Sequence, residues 1–125
     1  MKKLLLVLLL VGCVMPRYYI DANLNSLQLD MSKQAFLSNF SGSCQSSTPC
    51  ATPILRAAQR GSDGSVVEVL TMQMLYRPVG TSGDVIDYWF VFKGGLLKQW
   101  GRPEDWQQVA SRYEVTFNPG PSVRR

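Results

Sequence analysis

Histidine is absent from this chain, and the side chains left to do chemistry are three cysteines, a few closely spaced carboxylates and three tryptophans. Without histidine the commonest general base and the usual serine and cysteine triads are missing, so no enzyme is expected. Asp84 and Asp87 stand where a loop meets a strand end, and aspartates in such places commonly serve solvated turns. A weak hydrolase built on them is therefore the last-ranked reading. Glu104 and Asp105 are neighbours, and neighbours on a helix point about 100° apart. They read as charges at a helix start, not as an acid/base pair. Gly94-Gly95 has no phosphate-loop context, no nucleotide motif occurs, and no cofactor is expected.

Cys13 is set apart by what precedes it. Met1-Lys2-Lys3 followed by the apolar run Leu4 to Val11 has the positive and hydrophobic regions of a secretory signal. Crossing a bilayer takes roughly 20 apolar residues, and Pro16 and Arg17 break this run too early. The run ends in Leu10-Val11-Gly12-Cys13, which resembles the lipobox of bacterial lipoproteins. That resemblance implies removal of residues 1–12 and lipid modification, palmitate included, on Cys13. Each buried CH₂ contributes about 0.8 kcal/mol, so several chains anchor a protein durably. The following residue is Val14 and not Asp, which in enterobacterial lipoproteins implies the outer membrane, with the domain facing the periplasm. An ordinary signal peptide with a chance cysteine is the bland alternative.

In an exported chain, Cys44 and Cys50 lie in a polar, oxidising setting, Ser41-Gly42-Ser43-Cys44-Gln45-Ser46-Ser47-Thr48-Pro49-Cys50, where a disulfide is expected. Its loop is shorter than the 15-residue loop for which about 3 kcal/mol is typical, so it would mainly pin a connection. A zinc site would need more ligands than these two thiols offer, and no metal is expected.

The chain's 125 residues, 46% hydrophobic and 18% charged, suit one packed domain. Loss of Lys2 and Lys3 takes the formal charge from +4 to +2, which makes nucleic acid a poor partner. The organisation expected is a signal peptide over 1–12, a lipid anchor and tether over 13–26, an α+β domain over 27–113 and a flexible tail over 114–125. In the tether, Tyr18 and Tyr19 are expected near lipid headgroups. Ser32 caps a short helix in which Met31, Phe36, Leu37 and Phe40 share a face, with Gly42 as its stop. Pro53 to Arg60 could be framed as a helix, but the turn cluster Gly61-Ser62-Asp63-Gly64 before the β-branched run Val66 to Tyr76 favours a hairpin. Arg77 to Asp84 reads as a loop. Val85 to Lys93 alternates, with Ile86, Tyr88, Phe90 and Phe92 on one face. Gly94-Gly95 suits a tight turn into Leu96–Trp100, in a register that sets Trp89 against Trp100. Pro103 to Tyr113 is a second short helix. The fold class expected is thus a short N-terminal helix on a three- to four-stranded antiparallel meander, with a C-terminal helix.

The order of lipid-bearing cysteine, tether, the helix Leu27-x-Leu29-x-Met31-Ser32-Lys33-x-x-Phe36-Leu37 and an apolar antiparallel meander resembles the SmpA/OmlA-like (BamE-like) family of small outer-membrane lipoproteins. The resemblance covers Leu27 to Trp100. It implies a helix before a three-stranded sheet and an accessory role in β-barrel assembly. The family commonly has glycine where this chain has Asp30, and a Gly-x-Pro where Gly42 leads instead into the cysteine loop. Trp89, Trp100 and Trp106 admit two readings, a core covered by the tether, a loop or the C-terminal helix, or an exposed aromatic patch rimmed by Lys98 and Arg102, of the composition favoured in interfaces. The function expected is a non-catalytic, lipid-anchored module that binds an envelope protein. An inhibitor of a periplasmic glycosidase or peptidase, inserting the Arg77 to Asp84 loop, is the alternative.

Overall fold

The computed structural model describes residues 18–45, 48–76, 80 and 83–117. The fold is α+β, a mixed five-stranded sheet with a helical layer on each face. In chain order the elements are β1 (Tyr19–Ile20), a 3-10 turn (Asp21–Ser26), α1 (Lys33–Asn39), β2 (Ser43–Gln45), β3 (Thr48–Pro49), β4 (Ile54–Arg60), β5 (Val66–Tyr76), β6 (Asp84–Lys93), β7 (Leu96–Gly101), a second 3-10 turn (Pro103–Asp105) and α2 (Trp106–Tyr113). β4 to β7 form an antiparallel meander. β1 joins it parallel, at the end of β5 that β4 leaves free. This parallel strand exceeds the purely antiparallel sheet of the sequence reading, because two residues carry no period that betrays a strand.

β5 and β6 lie inside the sheet and are apolar on both faces. On one face Leu70, Met72, Met74, Ile86, Tyr88, Phe90 and Phe92 pack against Phe36 of α1 and Phe40 just after it, with Tyr19 and Leu27. On the other, Val67, Val69, Trp89 and Val91 meet Trp106 and Val109 of α2, with Val115. Ser32 caps α1 by accepting from the Ala35 N–H at 3.0 Å. Leu37 does not share the buried face of Phe36 and Phe40 but is exposed. Gly94 and Gly95 have φ of 62° and 80°, as the β6–β7 turn requires of both residues.

Both ends of the folded unit lie outside the boundaries read from the sequence. Tyr19 is buried in the core, edge-on to Phe40 at 5.0 Å, and its hydroxyl accepts from the Gly42 N–H at 3.1 Å. It is therefore not at a lipid surface, and the folded unit includes residues assigned to the tether. Beyond α2, Val115 is buried and Phe117 meets Trp106 at 5.5 Å, so the tail's first residues belong to the domain. Residues 1–17, which hold the expected signal peptide, Cys13 and the start of the expected tether, and residues 118–125 lie outside the described residues.

The β4–β5 turn carries a pH-sensitive clasp. The Asp63 carboxylate accepts from the Ser65 N–H at 3.0 Å and the Ser65 hydroxyl at 2.6 Å, and pairs with Lys93 at 2.9 Å. Ser65 first, then Lys93, holds this carboxyl well below the usual carboxylate range. A depressed folded-state pKa gives stability that is complete above the unfolded value, about 3.9, and is lost as pH falls through the folded one. The protection of the Ser65 amide, its exchange relative to an unstructured amide at the same pH, is expected to hold from neutral pH down to about 4 and to fall below it. Asp63→Asn should remove that acid limb, and an unchanged acid limb in the variant would refute the clasp.

Candidate functional site

The three tryptophans separate onto different sides of the sheet. Pairing along β6 and β7 runs Lys93↔Leu96 and Phe92↔Leu97, then jumps to Val91↔Gln99, which leaves Lys98 as a bulge residue. A bulge adds one residue to one strand and shifts every later partner. Trp100 therefore lies opposite Phe90, and Trp89 opposite Gly101, in place of the expected Trp89–Trp100 pair. Successive residues point to opposite faces, so Trp89 turns to α2 and Trp100 to the α1 side.

Trp89 and Trp106 are buried against each other, edge-to-face at 5.0 Å. The Trp89 Nε1–H donates to the Arg102 carbonyl at 2.5 Å. These two rings are core and not a docking patch, since α2 covers them. A Cβ at residue 101 would lie 2.7 Å from Trp89 Cζ2, so the absence of a side chain at Gly101 is what lets the indole approach β7 this closely. Gly101→Ala is expected to lower stability by about 1–3 kcal/mol through overpacking, as read from urea unfolding. A neutral effect would show that the ring has room to move.

Arg102 is also engaged. Its guanidinium lies 5.0 Å over the Tyr76 ring and pairs with Glu104 at 3.6 Å and Asp105 at 3.9 Å. Its backbone N–H donates to Asp105 Oδ2 at 3.2 Å. Glu104 and Asp105 thus serve the start of the helix, as their adjacency implied.

Trp100 remains half-buried and lines an open groove of about 360 Å³ with Leu29, Lys98, Gln99 and Arg112. Leu29 is 66% exposed there, which leaves an apolar side chain facing solvent beside the indole. Lys98 pairs with Asp30, a residue at φ 68°, where glycine would be unstrained. Arg112 Nη1 and the Tyr113 hydroxyl both donate to Gln99 Oε1, at 3.4 and 3.1 Å. Leu29 and Arg112 went unnoticed in the sequence because they lie far from Trp100 along the chain. Only the strand pairing of Asp30 and Met31 with Leu97 and the folding back of α2 bring them in.

A second depression, about 240 Å³, lies on the half of the α2 face that α2 leaves uncovered, lined by Ala51, Thr52, Ile54, Arg56, Thr71, Gln73 and Asp87. Another bulge forms it. Pairing goes from Leu55↔Leu70 to Ala57↔Val69, and the extra residue Arg56 swings its Nε to within 2.9 Å of the buried Thr71 hydroxyl. Asp84 and Asp87 do not converge, since three residues apart on one strand they point to opposite faces of β6. Among the described residues, no group of three or more histidine, cysteine, aspartate or glutamate side chains gathers as a metal site.

β2 and β3 pair antiparallel, with Ser43 opposite Pro49, which closes the Cys44–Cys50 segment into a small hairpin. Cys50 is half-buried and not free, its N–H donating to the Gly42 carbonyl at 2.7 Å. The Cys44 side chain lies outside the described residues, as do residues 77–79, 81 and 82 of the Arg77 to Asp84 loop. No family model matches the chain, and no curated protein or solved structure matches it.

Proposed function

We propose that this chain is an outer-membrane lipoprotein, held by a lipid on Cys13, whose α+β domain binds an envelope protein on the periplasmic side without catalysing a reaction. The anchor rests on the sequence from Met1 to Cys13. A Cys44–Cys50 disulfide, proposed on the polar cysteine segment, steadies the entry to β4. The binding role rests on one observation: Trp89 and Trp106 are buried, whereas Trp100 lines an open groove, and exposed Leu29 accompanies it. Half-exposed tryptophan beside an aliphatic side chain and an arginine is the composition that carries binding energy at interface centres. A component of the β-barrel assembly machinery is the partner that the family resemblance favours.

The test is affinity capture of the full-length, lipid-modified chain from gently solubilised native envelopes, with Cys13→Ala and Trp100→Ala forms beside it. The proposal expects an envelope protein retained by the native form and lost from both variants. The same proteins recovered with Trp100→Ala would rule out the groove as the binding surface, and recovery of a single soluble hydrolase would favour an inhibitor.

A further inference from the structure

Antiparallel pairing alternates residues whose N–H and C=O face the partner strand with residues whose groups face away from it. Leu97, opposite Phe92, belongs to the second kind. Its carbonyl accepts from the Asp30 N–H at 2.7 Å, and its N–H donates to the Met31 carbonyl at 2.9 Å. With Ser32 bridged to Leu96, the chain before α1 lies along the outer side of β7 as a short stretch of extra strand. Phe90 is two residues from Phe92 on β6 and so in the same phase, which turns the N–H and C=O of its partner Trp100 outward as well. Beyond Leu97 no described strand takes up this edge. The positive φ of Asp30 turns the chain away there, and the groove of Leu29, Lys98, Gln99, Trp100 and Arg112 opens along the line that the added strand would follow.

We infer that the outer edge of β7, from Lys98 to Gly101, receives an extended segment of a partner protein as an added strand, and that the segment alternates apolar and acidic residues. This inference rests on the reading of the chain as a binding module and names the chemistry of its partner. A strand presents successive side chains to opposite faces of the sheet. On the α1 side an incoming residue meets Trp100, and apolar Leu29 lines the same groove. On the α2 side its neighbour meets Gln99 and Arg112. Lys98 is neutralised by Asp30, whereas Arg112, among the described residues, forms no ion pair with a carboxylate and donates to the Gln99 amide oxygen alone. Its charge therefore sets the sign of the partner at this face. Main-chain hydrogen bonds would supply affinity and the two side-chain environments the specificity, as in other strand additions.

The experiment titrates the full lipid-modified chain, in detergent micelles, with short end-blocked fluorescent peptides. One alternates valine with glutamate, one valine with lysine, and a third is the valine–glutamate peptide methylated on every backbone nitrogen. The valine–glutamate peptide should bind and slow amide exchange at Trp100, and the other two should bind at least roughly tenfold more weakly. Arg112→Glu, a surface change compatible with folding, should reverse the preference between glutamate and lysine. Binding that survives methylation, an unchanged preference in Arg112→Glu, protection confined to β4, self-association through β7 or no binding at all would each overturn the inference. Peptides that fail while Trp100-dependent capture of an envelope protein persists would remove strand addition alone. Peptides that bind while capture fails would leave the edge intact and remove the envelope role.

Discussion

Trp89→Ala is expected to lower unfolding free energy by about 3–5 kcal/mol, the range for deleting a large buried aromatic. The indole has no exposed surface, packs edge-on against Trp106 and donates a hydrogen bond to the Arg102 carbonyl. Removing it leaves a cavity between β6 and α2 and deprives that carbonyl of its donor. α2 has only eight residues, too few to be stable in water without its packed face, so the helix should loosen together with the lost ring. Trp100→Ala, which trims a half-buried ring, is expected to cost no more than about 1–2 kcal/mol. Urea unfolding followed by far-ultraviolet circular dichroism would separate the two. Equal losses would mean that the two rings are not divided into core and groove as described.

Phe36→Ala is expected to be as costly on the opposite layer, about 3–5 kcal/mol. Phe36 is fully buried and centres a cluster of rings, with Phe90 at 4.8 Å, Phe92 at 5.0 Å and Phe40 at 5.2 Å. α1 has seven residues, and Phe36 is its one buried side chain among them, so it is the helix's main apolar hold on the sheet. The loss should reach Tyr19 through Phe40 and speed amide exchange at Gly42, whose N–H donates to the Tyr19 hydroxyl. A loss below about 1 kcal/mol would place the main core elsewhere.

Much of this architecture is legible in the sequence because β5 and β6 carry strong local signals. The β-branched run Val66 to Tyr76, the alternation from Ile86 to Phe92 and the paired glycines 94 and 95 each name their own structure. The hairpin expected from Pro53 to Arg60 is legible because Gly61 to Gly64 is a turn cluster on which both strands depend, and the strand itself begins at Ile54. What escaped was set by tertiary contact. Two residues of β1 have no period, and Tyr19 is recognisable as core only once Phe40 and β5 stand beside it. The bulges at Arg56 and Lys98 have no glycine or proline to announce them, yet each re-aims a strand. The second reversed the placement of Trp100 and with it the candidate surface. The proposed role of Cys13 rests on sequence alone, on the apolar run before it and the small residue at its side.

The claim on which the rest depends is that the domain is held at a membrane by Cys13. Intact mass spectrometry of the protein extracted from the membranes of its native cells tests this most directly. The account predicts a chain that begins at Cys13 and carries the added mass of acyl groups, with none on a Cys13→Ala form. An unmodified chain, whether cut at another residue or retaining Met1, would contradict it.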